Sequence, residues 1–121
     1  MVVTYRDLKV WQRAMSLVES IYKITAKLPR EEIYGLAAQL PRAAVSIPSN
    51  IAEGHARDST KDYLRFLSIA RGSLAELETQ LLLCQRLGLL SQLDVDEVLT
   101  LADEIGRMMR GVQTGLRERL D

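Results

Sequence analysis

The sequence predicts an all-α protein, an antiparallel up-and-down four-helix bundle whose second helix is bent at Pro48. Apolar residues recur at three- and four-residue steps in four successive stretches, which is the period of an amphipathic helix. Seven glycines and three prolines in 121 residues leave few places for turns, so the helices are long. No stretch alternates polar and apolar residues as a strand does. We expect one domain over 1–121, with helices over about 8–28, 31–54, 59–87 and 95–120.

The first predicted helix follows Asp7, whose carboxylate is suited to an N-cap. Its apolar stripe, which we expect to face the core, consists of Trp11, Ala14, Met15, Val18, Ile21, Tyr22, Thr25 and Leu28. Another face carries cations at similar spacing, namely Lys9, Arg13, Lys23 and Lys27. This basic stripe is the strongest signal for nucleic-acid contact in the sequence. A solvated helix face explains the same pattern, and we favour that explanation.

The second predicted helix begins near Glu31 or Glu32, where acids suit the positive end of the helix dipole. It contains Pro41 and Pro48, and an interior proline costs about 3 kcal/mol because it removes a backbone hydrogen bond. One continuous helix, bent in one sense, is the interpretation that we favour. The alternative ends a helix at Gln39 and restarts it at Pro41.

Small side chains crowd the segment 42–54 of this helix, which indicates close contact with another surface. Beside the apolar face runs a polar stripe, which consists of Arg42, Ser46, Asn50 and Glu53. We expect this polar stripe to face a neighbouring subunit or a central channel.

The remaining helix ends carry recognisable capping residues. The third helix is predicted to begin at Asp58 or Ser59 and to end before Gly88, a residue favoured just past a helix end. Asp94 is predicted to cap the start of the fourth helix, with Glu97 completing a capping box.

The run 81–84 near the end of the third helix reads Leu-Leu-Leu-Cys and is apolar all round. A helix that is apolar all round is usually buried all round. In so small a protein this indicates a second partner surface, with Leu82 and Leu83 as candidate interface residues.

Charge and composition restrict the classes of function. Sixteen basic and sixteen acidic residues cancel, whereas a dedicated nucleic-acid binder has a basic excess. Residues 1–28 hold five cations against two acids, and residues 89–121 hold four against seven. We expect these oppositely charged ends to attract each other, either within one chain or between copies. There is no run of ~18 apolar residues, no signal peptide and only one cysteine, so we expect a cytoplasmic protein without membrane contact.

No constellation of residues indicates catalysis. The single histidine, His55, lacks the Glu-x-x-His spacing of metal sites in helical bundles. Cys84 lies on an apolar seam, where a free cysteine is usually a small buried hydrophobe. The glycines are scattered and form no phosphate-binding loop. We therefore expect no catalytic, cofactor-binding or metal-binding residues and no small-molecule substrate.

Four segments resemble a known family. They are Asp7-Leu-Lys-Val-Trp-Gln12, Tyr34-Gly-Leu36 with Gln39, Ala43-Ala-Val-Ser-Ile-Pro-Ser-Asn-Ile-Ala-Glu-Gly54 and Gly72-Ser-Leu-Ala-Glu-Leu-Glu78. They closely resemble the bacterial four-helix-bundle family of 23S rRNA intervening-sequence proteins. That family is similar to the accessory protein of diversity-generating retroelements, which works with a reverse transcriptase and binds nucleic acid. The resemblance implies an up-and-down bundle that assembles into a ring or barrel of five subunits, and it implies no enzyme.

These observations predict a non-enzymatic structural or interaction protein that assembles with itself, most simply as a homopentamer. The alternative is a nucleic-acid-binding accessory factor for RNA or DNA that uses the basic stripe of the first helix. Repetition of that stripe around a ring strengthens weak binding through avidity.

Overall fold

Four long helices make up most of the protein, and the computed structural model describes residues 3–120 of it. The helices are α1 (Lys9–Thr25), α2 (Leu36–His55), α3 (Thr60–Arg86) and α4 (Gln92–Leu120), with two short 3-10 turns at Tyr5–Asp7 and Arg30–Glu32. Residues 3–120 contain no strand. Each helix packs against two others in the cyclic order α1, α2, α3, α4. The predicted all-α four-helix bundle is confirmed.

Contacts between helices run in opposite chain directions, which makes neighbours antiparallel. Between α1 and α4, Arg13 meets Glu104 while Lys27 meets Asp94. The α2–α3 pair follows the same rule, because Ser46 lies opposite Ser73 and Gln39 lies opposite Gln80. Short connections produce this arrangement, since a chain that turns back at once places the next helix alongside the last.

The starts of α1 and α4 differ from the predicted ones. Asp7 does not cap α1; it forms a capping box with Thr4 in the preceding 3-10 turn, and α1 begins after Leu8 without a side-chain cap. The start of α4 lies three residues earlier than predicted, where the Ser91 hydroxyl accepts the Asp94 N–H at 3.1 Å. The Asp94 carboxylate is thereby left to bind another helix.

The ends of α3 follow the prediction. The Ser59 hydroxyl accepts the Asp62 N–H at 3.0 Å, which satisfies one free donor of the first turn. At the other end Gly88 has φ of 73°, in the left-handed region, and the Leu89 N–H donates to the Cys84 carbonyl at 2.8 Å. This is a Schellman motif, which a glycine at that position favours.

The second helix is continuous through both of its prolines, Pro41 and Pro48, so the alternative of a restart at Pro41 is wrong. It begins at Leu36, later than predicted, because Arg30–Glu32 forms a separate turn. The Glu32 carboxylate accepts the Leu36 N–H at 3.2 Å and so links that turn to the helix.

The core lies between the four helices and consists mainly of branched aliphatic side chains. Its largest fully buried members include Leu17, Ile21, Leu40, Ile47, Ile51, Leu67, Leu77, Leu81, Ile105 and Met109. Each such side chain stabilises the fold by about 1.5–3 kcal/mol. A buried polar residue, Gln113, accepts from Arg71 at 3.1 Å and donates to Ser68 at 3.3 Å, so its desolvation is offset by hydrogen bonds.

Candidate functional site

The side of α2 that faces α3 contains small residues, and the contact between these two helices is the most extensive in the bundle. A Cβ added at Gly54 would lie 2.8 Å from the Cβ of Phe66 and 3.1 Å from the Tyr63 ring. The Ser46 and Ser73 hydroxyl oxygens are 2.8 Å apart. We call this contact the α2–α3 seam. Small residues of segment 42–54 therefore make close contact with another helix of the same chain.

Two members of the predicted polar stripe have hydrogen-bond partners in the seam. The Asn50 amide donates to the Ser46 hydroxyl at 2.9 Å and to the Ser46 carbonyl at 2.7 Å. Arg42 and Glu53 are exposed, and Glu53 accepts from Arg57 at 3.0 Å. A role of the four residues in a subunit interface stays a prediction.

The side of α2 that faces α1 forms an open depression with that helix. One part of it has a volume of about 340 Å³ and is lined by Tyr5, Trp11, Met15, Val18, Val45, Pro48, Ser49 and Ala52. The other part has a volume of about 370 Å³ and is lined by Tyr22, Pro41, Arg42, Val45 and Ser46. The two parts share Val45, and together we call them the α1–α2 groove. Arg42 of the polar stripe thus borders the groove, and Ser46 lies at the edge between the groove and the α2–α3 seam.

Apolar side chains line most of this groove and remain accessible to solvent. Met15 is 42% exposed, Tyr22 is 57% exposed and Val45 is 41% exposed. Trp11 is half-buried, with its ring edge-on to Tyr5 at a centroid distance of 5.3 Å. The prediction that Met15 and Tyr22 face the core is therefore wrong.

The groove escaped sequence analysis because α1 carries two adjacent apolar stripes. The buried stripe consists of Val10, Ala14, Leu17, Ile21 and Ile24, and the groove stripe consists of Trp11, Met15, Val18 and Tyr22. The stripes are offset by one residue, about 100° around the helix. The sequence contains a signal for this second surface, since the apolar arc of α1 is wider than one core-facing stripe, but the arc was interpreted as a single stripe.

The Leu81–Cys84 run presents two buried and two exposed side chains. Leu81 and Cys84 are fully buried, whereas Leu82 is 46% exposed and Leu83 is 42% exposed. Consecutive residues point about 100° apart on a helix, so these two leucines lie on different sides of α3. Burial raises the pKa of the Cys84 thiol, which keeps it in the neutral form. The assignment of Leu82 and Leu83 to an interface stays a prediction.

Two of the four cations of the basic stripe bind carboxylates of α4. The Arg13 guanidinium donates to both Glu104 oxygens, at 3.0 and 3.1 Å. The Lys27 ammonium lies 2.9 Å from an Asp94 oxygen. Lys9 and Lys23 are exposed. The structure thus gives Arg13 and Lys27 a role in joining α1 to α4.

These ion pairs alter the titration of the acids. The hydrogen bonds from Arg13 hold the pKa of Glu104 below its ordinary value, and the hydrogen bond from Lys27 does the same for the pKa of Asp94. The predicted attraction between the positive start and the negative end of the chain is confirmed within one molecule.

The residues with reactive side chains lie far apart. His55 packs edge-on against Tyr63 at a centroid distance of 5.7 Å, at the start of α3. Cys84 lies near the other end of α3, roughly 30 Å away at 1.5 Å per residue. Within residues 3–120, no three histidine, cysteine or carboxylate side chains converge in a way that would hold a metal ion. In the same range, no helix has the length and apolarity that crossing a membrane requires.

The fold and the groove define a helical-bundle protein with an open apolar surface between its first two helices. The family model of the 23S rRNA-intervening sequence protein matches residues 6–111, so the chain belongs to that family. This confirms the resemblance of the four sequence segments. The function of the family is unknown, and no catalytic activity is known for it. No curated protein matches the chain.

Proposed function

We propose that this chain is a non-enzymatic structural or interaction protein of the cytoplasm that assembles with itself into a homopentameric ring. The observation that carries the proposal is the α1–α2 groove, which leaves Met15, Tyr22 and Val45 open to solvent along one face. Exposed apolar surface bordered by polar residues marks interaction sites on soluble proteins. Arg42 and Ser49 supply such a border.

The accessible area of the chain also supports assembly. A monomeric protein of 13.6 kDa has an accessible surface of about 6,600 Å². This chain has 7361 Å². The chain therefore exposes more surface than this size relation gives for a monomer, which accords with surface that a partner covers.

Five-fold assembly rests on the family resemblance and on a symmetry argument. An odd-numbered ring requires two different surfaces on each copy, because a patch that binds only itself produces pairs. The α1–α2 groove is one of these two surfaces. Exposed apolar residues elsewhere on the chain are candidates for the second surface. The free thiol of Cys84 accords with a reducing compartment such as the cytoplasm.

Nucleic-acid binding remains the alternative proposal, and the ion pairs weaken its support. Arg13 and Lys27 have carboxylate partners on α4, so phosphate contact must compete with those partners. Lys9 and Lys23 remain exposed. Two exposed lysines on a chain with no net charge are weak support for binding to phosphates. The exposed apolar groove is stronger support for self-assembly.

Light scattering coupled to size-exclusion chromatography tests the two proposals together. Self-assembly predicts a mass close to five times the 13.6 kDa of the chain, and a monomer at all concentrations up to the solubility limit contradicts it.

Titration of labelled RNA and double-stranded DNA at low salt tests the alternative. Binding that weakens steeply as salt rises supports it, and an absence of binding at low salt removes it.

A further inference from the structure

We infer that Tyr34, together with Ile33, is the protruding group that fills the α1–α2 groove of a second copy of this chain. The inference rests on the proposed self-assembly and adds the two surfaces that meet. Tyr34 is 93% exposed and Ile33 is 57% exposed, on the loop that precedes α2.

Hydrogen bonds fix the loop that carries Tyr34. The Gly35 N–H donates to the Glu32 carbonyl at 2.9 Å, and the Leu36 N–H donates to the Glu32 carboxylate at 3.2 Å. A Cβ at Gly35 would lie 2.8 Å from that carboxylate, so glycine allows the close approach. These bonds fix the backbone next to Tyr34, and its side chain, 93% exposed, extends outside the bundle.

The chemistry of Tyr34 and Ile33 matches that of the groove. Aromatic anchors that enter a pocket contribute most of the energy of many interfaces, and tyrosine is among the most frequent of them. The groove offers apolar walls, including Trp11 and Pro48, for the ring. Its polar border includes Ser49, a partner for the phenol hydroxyl, which needs a hydrogen bond when buried.

Charge complementarity favours the same pairing. The 3-10 turn Arg30–Glu32, just before the protruding group, has two acids and one base and is net negative. The charged residue among those that line the groove is Arg42. When the loop of one copy binds in the groove of the next copy, the negative turn Arg30–Glu32 comes closer to the positive Arg42.

A second copy is the occupant because each copy carries both halves of the contact at different places. Tyr34 does not line the groove of its own chain. A contact between two unlike surfaces is heterologous, and repeating it around an axis closes a ring.

The test uses the full-length protein and two variants that damage opposite halves of the contact. Tyr34→Ala removes the anchor, and Ser49→Arg places a charge in the groove at an exposed helix position. Leu93→Ala is the matched control, because Leu93 is a 69% exposed apolar side chain that lines neither part of the groove and is not on the loop of Tyr34. Light scattering over a dilution series gives the concentration of half-assembly, and circular dichroism checks that each variant keeps its helices.

We expect each of the two variants to raise the concentration of half-assembly at least ten-fold, while Leu93→Ala resembles the native protein. The sole tryptophan, Trp11, lies in the groove, so its emission is expected to shift on dilution of the native protein. A mixture of the two variants is expected to form a one-to-one pair, because one protein retains the groove and the other retains Tyr34.

The outcomes separate this inference from the proposed function. If the native protein assembles and Tyr34→Ala assembles equally tightly, the contact is wrong while self-assembly stands. If mixing the two weakened variants restores no pair, the contact is likewise wrong. If the native protein is a monomer, both proposals fall.

Discussion

The two long sides of α2 meet their neighbours in opposite ways. Toward α3, Gly54 and Ser46 allow the backbones to approach until a single added methyl group would collide with Phe66. Toward α1, Pro48, Ser49 and larger side chains leave an open groove. Both sides contain short side chains, so small size alone does not distinguish a sealed helix contact from an open one.

What distinguishes them is the partner helix. In the seam the short side chains of α2 lie directly against α3, with Ser46 opposite Ser73 and Gly54 against Phe66, and the gap closes. In the groove the short side chains of α2 lie beside Trp11, Met15 and Tyr22 of α1, and open space remains between the two helices. We interpret the seam as the element that stabilises the fold and the groove as the element that is open to a partner.

The largest effect that the comparison predicts comes from Gly54→Val in the seam. The added side chain meets Phe66 and Tyr63 at distances that require the helices to move apart. Overpacking of this kind lowers the free energy of unfolding by about 1–3 kcal/mol. Urea unfolding followed by circular dichroism measures it, at one fixed protein concentration because assembly also contributes to stability.

Gly111→Val is the matched control for that change. Gly111 lies in α4, and a Cβ there would meet nothing within 4 Å. Valine has slightly better helix propensity than glycine, so we expect a change below about 0.5 kcal/mol. Equal losses of stability in the two variants would show that the seam is not closely packed.

Two serines three residues apart on α2 sharpen the comparison. Ser46→Ala removes a hydroxyl bonded to Ser73 and Asn50, and we expect a loss of about 1 kcal/mol in the free energy of unfolding. Ser49→Ala makes the same chemical change at an exposed groove position, and the better helix propensity of alanine predicts no loss. Urea titration of both variants checks this. A greater loss in Ser49→Ala reverses the assigned roles of the two sides.

The helical bundle was predictable from sequence because its apolar period extends through four long segments. The starts of α1, α2 and α4 were not, because several residues near each start are able to cap a helix. Asp94 and Glu97 satisfy a capping-box pattern, yet Ser91 caps α4 one turn earlier. The earlier start adds a helical turn and leaves the Asp94 carboxylate for Lys27, a residue on a different helix. Local sequence contains no information about that partner.

The groove was predictable only in part. Apolar residues of α1 identify the helix, but Met15 and Leu17 are equally apolar, and only the positions of α2 and α4 decide which one is buried. The basic stripe shows the same limit. Its spacing is visible in the sequence, whereas the pairing of Arg13 with Glu104 depends on a residue 91 positions away.

Exposed ion pairs join α1 to α4, in contrast to the close packing of the α2–α3 seam. We expect the loss of one such pair to have the smallest effect on the stability of the fold. The pKa of Glu104 is lowered in the folded protein because Arg13 donates two hydrogen bonds to its carboxylate. A carboxylate with a lowered folded-state pKa stabilises the fold above its unfolded pKa, and that stability is lost as pH falls through the folded pKa. The contribution of Glu104 is therefore present at neutral pH and disappears below about pH 4.3, the ordinary value for glutamate.

Glu104→Gln removes this titration, so its unfolding midpoint is expected to fall less steeply than that of the native protein between about pH 5 and 3. At pH 7 we expect only a small decrease, because the Arg13 and Glu104 side chains are 44% and 41% exposed and solvent screens the pair. Thermal unfolding at a series of pH values measures both effects.

Glu118→Gln on the same helix is the control, since Glu118 takes part in none of the ion pairs within residues 3–120. Identical pH profiles for the two variants would mean that the α1–α4 contact depends on apolar packing and not on the Arg13–Glu104 pair.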